Sequence, residues 1–90
     1  MSKSRFTAQY DYFLTRIRAL RSETGTMQAD LAERLGVPQQ YISRWETGET
    51  RMDIVQVWRY CTALGVSFTK LCRDLDREFA NSKPSKRARR

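Results

Sequence analysis

Gln40, Ser43 and Arg44, read as part of a helix at about 100° per residue, share one side of it, opposite Ile42 and Trp45. Gln39 projects near the N-terminal edge of that face. Glutamine can bridge N6 and N7 of an adenine, and arginine can bridge O6 and N7 of a guanine, so these side chains are able to discriminate base edges. A solvated polar face has the same composition, and the residue types alone leave both readings open. Other chemistries lack their parts. There is no histidine, no glycine-rich phosphate loop and no clustered carboxylate pair, so an enzyme is not expected. Cys61 and Cys72 form no close pair and fall at apolar positions of helical patterns, which reads as buried, reduced thiols. Without a histidine or a Cys-x-x-Cys pair the usual zinc ligands are missing, and neither metal nor cofactor is expected.

Charge points to a polyanionic partner, though not evenly along the chain. Seventeen Lys and Arg stand against ten Asp and Glu, a net charge of +7. Five of those seven charges, Lys83, Lys86, Arg87, Arg89 and Arg90, lie in the last ten residues, leaving +2 for the first eighty. With no acid and no apolar stripe, residues 81–90 read as a basic, disordered tail following one domain over 1–80. Such a tail suits sequence-independent contact with phosphates, a solubilising role, or a nuclear-import signal. No apolar run approaches the length of a signal peptide or a membrane span, so a cytoplasmic protein without membrane contact is expected.

The elements that must carry the polar face follow from glycines and apolar spacing. Gly25, Gly36, Gly48 and Gly65 each follow a segment with helical spacing, where a left-handed C-terminal cap is needed, and four stops imply five helices. The first, about Thr7 to Thr24, carries Tyr10, Phe13, Leu14, Ile17 and Leu20 as one stripe. The second, Gln28 to Leu35, buries Leu31, Ala32 and Leu35. The third runs from Pro38, placed at the first helical position, to Glu46. Asp53 and Gln56 have the spacing of a capping box for the fourth, with Ile54, Val57, Cys61 and Leu64 inside and Trp58 at the edge. Phe68, Leu71, Cys72, Leu75 and Phe79 give the fifth. Nothing alternates as a strand would, and the fold class is all-α.

Residues 28–46, QADLAERLGVPQQYISRWE, hold two short helices around a turn. A close crossing there requires a small residue, Ala32, and a turn tolerant of positive φ, Gly36. Leu31, Leu35, Val37, Ile42 and Trp45 then have to pack inward. With Arg21, Gly25, Gln28, Leu31-Ala32, Leu35-Gly36-Val37, Ile42-Ser43, Glu46, Gly48-Glu49 and Ala63-Leu64-Gly65 in register, the chain from about Phe13 to Leu71 resembles the Cro and repressor-type helix-turn-helix proteins, the XRE family of phage and bacterial regulators. One position departs from the family pattern. Met27 stands where Ser or Thr usually caps the second helix, and Thr26 is the alternative cap one residue early.

The resemblance implies a compact, five-helix, lambda-repressor-like domain whose third helix enters the major groove of double-stranded DNA. Carried onto this chain, it makes Gln39, Gln40 and Arg44 the base-reading residues and leaves Ser43 to a base or a phosphate. Gln28, Tyr41 and Arg51 match phosphate-contacting positions, with packing the competing role for Tyr41 and plain solvation for Arg51. Arg21 and Glu46 match a structural ion pair joining the first helix to the end of the third. The implied function is a transcriptional regulator acting as a homodimer on an operator, most simply a repressor. Val55, Leu75 and Phe79 are the candidate dimer surface. The alternative is an antitoxin that neutralises a protein toxin and uses the same motif for autoregulation.

Overall fold

The computed structural model describes residues 7–81. Five helices follow in order: α1 (Ala8–Glu23), α2 (Gln28–Leu35), α3 (Gln39–Thr47), α4 (Ile54–Leu64) and α5 (Phe68–Asn81). There is no strand among the described residues, and no helix there is long and apolar enough to cross a membrane. The expectations for the basic tail fall outside the described residues, except that α5 runs through Asn81, which had been assigned to it.

One core joins all five helices. Ile17 of α1, Leu31 of α2, Ile42 of α3 and Tyr60 and Cys61 of α4 are fully buried, and Leu71 of α5 nearly so. Phe13, Leu14, Trp45, Val57 and Leu64 complete the layer. Burying an aliphatic or aromatic side chain of this size contributes roughly 1.5–3 kcal/mol, so this shared set, rather than helix propensity, holds segments of eight to sixteen residues in place. Buried Ala32 lets α2 and α3 cross closely, and Gly36 closes α2 at φ 71°. Burial pushes the Cys61 thiol up to about 11, with Cys72 adding to the shift, so Cys61 is an inert core thiol at neutral pH.

Three local expectations are corrected. Pro38 is the N-cap of α3, not its first helical residue, and the helix extends to Thr47. Ile54 is 67% exposed because the inner stripe of α4 is Val57, Tyr60, Cys61 and Leu64, and the first residue of the helix projects beyond the core. Cys72 is exposed, since it sits one residue, about 100° of helix, past the buried Leu71. Trp58 is about half exposed, in keeping with its expected place at the edge of the inner face of α4.

The start of α2 resolves the capping question. Met27 is the N-cap and makes no side-chain bond to the helix, while Thr26 is buried with its hydroxyl 2.8 Å from that of Thr24. Met27→Ser is therefore expected to raise the unfolding free energy by about 1 kcal/mol, measured by urea denaturation, because it supplies an acceptor for an orphaned first-turn N–H. An unchanged midpoint would mean that this N–H is already satisfied.

Candidate nucleic-acid interface

The outer face of α3 carries the side chains singled out by their spacing. Gln39, Gln40 and Arg44 are exposed and Ser43 is partly covered, while Ile42, Trp45 and Glu46 on the opposite side are buried. Arg44 is half exposed, its Nε 3.9 Å from a Glu49 carboxylate oxygen, a solvent-screened contact of small energetic weight. Tyr41 is 48% exposed. With Arg44, Trp45 and Thr50 it lines a concavity of about 220 Å³ on one flank of α3.

Glu46 fixes the orientation of this helix. It is 1% exposed and accepts four hydrogen bonds on its carboxylate. Arg21 Nε donates to Oε2 at 2.7 Å and Arg21 Nη2 to Oε1 at 2.9 Å, the bidentate fork suited to a carboxylate. Gln28 Nε2 donates to Oε1 at 2.9 Å. The Tyr60 hydroxyl lies 2.6 Å from Oε2 and 3.0 Å from the Ile17 carbonyl oxygen, its single proton shared between two acceptors. Burial alone would raise the Glu46 pKa, but the hydrogen bonds from Arg21, Tyr60 and Gln28 outweigh it and hold the carboxyl below its ordinary value. The bond to Glu46 likewise raises the Arg21 pKa, and burial followed by the neighbouring carboxylate raises that of Tyr60. Arg18 adds a bond to the Glu46 carbonyl oxygen. The ion pair expected between Arg21 and Glu46 is thus present as the centre of a larger network linking α1, α2, α3 and α4.

That network reaches the exposed face. Gln28, tied to Glu46 through Nε2, offers Oε1 to Gln39 Nε2 at 3.4 Å, so α2 buttresses the first residue of α3. The family pattern makes Gln28 a phosphate-contacting position. The structure turns it first toward Glu46. Tyr60 was missed altogether, although its spacing with Val57 and Leu64 is a helical signal that could have found it.

Helix ends differ in a way that matters for anions. The side chains of Thr7, Asp53 and Ser67 accept bonds from the first turns of α1, α4 and α5, Asp53 in the expected capping box, whereas α2 and α3 have no side-chain cap. No side chain therefore caps the first-turn N–H groups of these two helices; that of Tyr41 bonds the Pro38 carbonyl, and the others can meet solvent or phosphate oxygens.

Farther from α3, Arg51 is exposed beyond Gly48, and Val55 is 60% exposed on α4. Leu75 and Phe79 of α5 are partly buried and line, with Tyr10, Met52, Ile54 and Val57, a largely apolar cleft of about 320 Å³. The structure does not bring these dimer candidates to the base-reading face. Among the described residues no group of acidic, histidine and cysteine side chains could hold a metal ion.

A helix-turn-helix family model matches residues 17–71. A solved structure described as an XRE-family like protein from Pseudomonas syringae pv. tomato str. DC3000 is similar at a TM-score of 0.77 and 32% sequence identity, covering 80% of this chain and 88% of that one. No curated protein matches the chain.

Proposed function

The chain belongs to the XRE family of helix-turn-helix DNA-binding regulators, and on that premise we propose that it is a cytoplasmic, homodimeric repressor reading an operator with α3. The observation that carries this reading is the exposed row Gln39, Gln40 and Arg44 on a helix whose far side is locked by a fully hydrogen-bonded carboxylate. A rigid scaffold under adaptable donors and acceptors is what discrimination between base edges requires. Gln39, Gln40 and Arg44 read bases, and Ser43 sits between them within reach of a base or a phosphate. Tyr41 and Arg51 contact the backbone, joined at the start of α2 by the uncapped N–H groups and the second amide hydrogen of Gln28. The five cations of the tail add affinity without sequence information.

Arg44→Ala is expected to cost on the order of 1–3 kcal/mol on the preferred site and to relax the preference at one base pair per half-site, read by competition binding with single-base variants. Equal weakening on every sequence would contradict base reading.

Val55, Leu75 and Phe79 are the proposed dimer surface. The exposed Ile54 and Trp58 beside Val55 support a protein contact on this face, since a cluster of large apolar side chains in water marks an interaction site. A two-fold dimer sets its recognition helices about 34 Å apart, one turn of the duplex. Sedimentation should give a dimer that Val55→Glu dissociates. A monomer at high concentration that co-purifies with a second small protein would instead favour the antitoxin reading.

A further inference from the structure

We propose that Tyr10, outside the helix-turn-helix, is a positioning residue for DNA binding: it holds the segment after α3 so that Arg51 meets the backbone on the side of the groove opposite α2. This rests on the phosphate contact proposed for Arg51. Tyr10 also precedes residues 17–71, the span matched by the family model.

Two contacts join Tyr10 to that segment across 42 residues of sequence. Its hydroxyl accepts the Met52 N–H at 3.1 Å, and its ring lies 4.2 Å from the Arg51 guanidinium carbon. An aromatic ring attracts the cation through its π-system, so the contact places the guanidinium relative to α1. The ring is itself braced by Phe13, 5.2 Å away between centroids at 44°, a residue of the buried core. The other end of the segment is fixed to α3, where Gly48 N–H donates to the Trp45 carbonyl and Thr50 N–H to the Arg44 carbonyl. Gln39 faces α2 through Gln28, whereas Tyr41 and Arg44 face Thr50 across the concavity on the other flank. A helix in the major groove has a sugar–phosphate wall on each side. The start of α2 serves one wall, and the segment that Tyr10 holds serves the other.

The test is a double-mutant cycle of Tyr10→Leu and Arg51→Ala, with Tyr10→Phe as the conservative variant and thermal melts confirming that each is folded at the assay temperature. Affinity is measured against salt on specific and random duplexes. Arg51→Ala should lower the magnitude of the log K against log salt slope by about 0.9. Tyr10→Leu should weaken binding about three- to five-fold on both duplexes, the scale of one exposed cation–π contact, and leave base preference unchanged. Tyr10→Phe, which keeps the ring, should recover most of that loss. In the Arg51→Ala background, Tyr10→Leu should have little further effect. Additive losses, or a Tyr10→Leu variant that binds like the parent while Arg51→Ala weakens binding, would overturn the role of Tyr10 and leave that of Arg51 standing. An Arg51→Ala variant with unchanged affinity and slope would overturn the phosphate contact of Arg51, and the proposal with it.

Discussion

Glu46→Ala is expected to lower the unfolding free energy by about 3–5 kcal/mol and to remove tight DNA binding along with it. The carboxylate is the acceptor for Arg21, Gln28 and Tyr60, and at 1% exposure it lies out of reach of solvent. Truncation leaves the Arg21 guanidinium without its counter-charge, although Arg21 Nη1 keeps its 3.0 Å bond to the Thr26 carbonyl. It also strands the Gln28 amide, and with it the support under Gln39. The cost comes mainly from the uncompensated partners, not from the net worth of the ion pair. Replacing Arg21 and Glu46 together by apolar residues should therefore destabilise less than the sum of the single changes. Urea unfolding of the singles and the double, with binding measured where the variants are folded, checks this. An unchanged melting temperature for Glu46→Ala would contradict the structural role of the network.

Tyr60→Phe should cost about 1–3 kcal/mol, the scale for losing a hydrogen bond to a buried charged acceptor. Phenylalanine retains the fully buried ring and its packing, so the loss isolates the hydroxyl proton shared by Glu46 and the Ile17 carbonyl. A pH signature distinguishes this from a packing defect. Glu46 has its pKa lowered in the folded protein, so its contribution is present above the unfolded carboxyl value and is lost as pH falls through the folded value. Removing the Tyr60 proton weakens the lowering, raises the folded value and shrinks that contribution. The stability lost in Tyr60→Phe should therefore be greatest near neutral pH and shrink as pH falls through the folded Glu46 value, read by urea unfolding across the acid range. A uniform loss of stability at all pH values would assign Tyr60 to packing alone.

Local rules were enough for the five helices. Helical spacing, the glycines after the first four segments and the Asp53–Gln56 capping box depend on neighbours within a few residues, and the helices form within about one residue of where those signals put them. Faces were harder. Ile54 and Cys72 lie beside apolar stripes, and which edge of a stripe is covered depends on the helix that lands on it. The polar network was legible only in part. Arg21 and Glu46 could be paired from the family pattern, but the partners that complete the site are distant in sequence: Tyr60 bonds the Ile17 carbonyl 43 positions away, and Tyr10 bonds Met52 42 positions away. A tyrosine with an apolar ring and one donor gives no sequence sign of which acceptor it will meet. The turn of Gln28 toward Glu46 was hidden for the same reason.

Selection of bound sequences from random duplex DNA tests the central claim most directly. A homodimer reading bases through Gln39, Gln40 and Arg44 should recover an inverted repeat with half-site centres about 10 base pairs apart. Repeating the selection with Arg44→Ala should lose the preference at one symmetric pair of positions and keep the rest. Recovery of no motif, or of the same motif from the parent and the variant, would contradict base reading by α3.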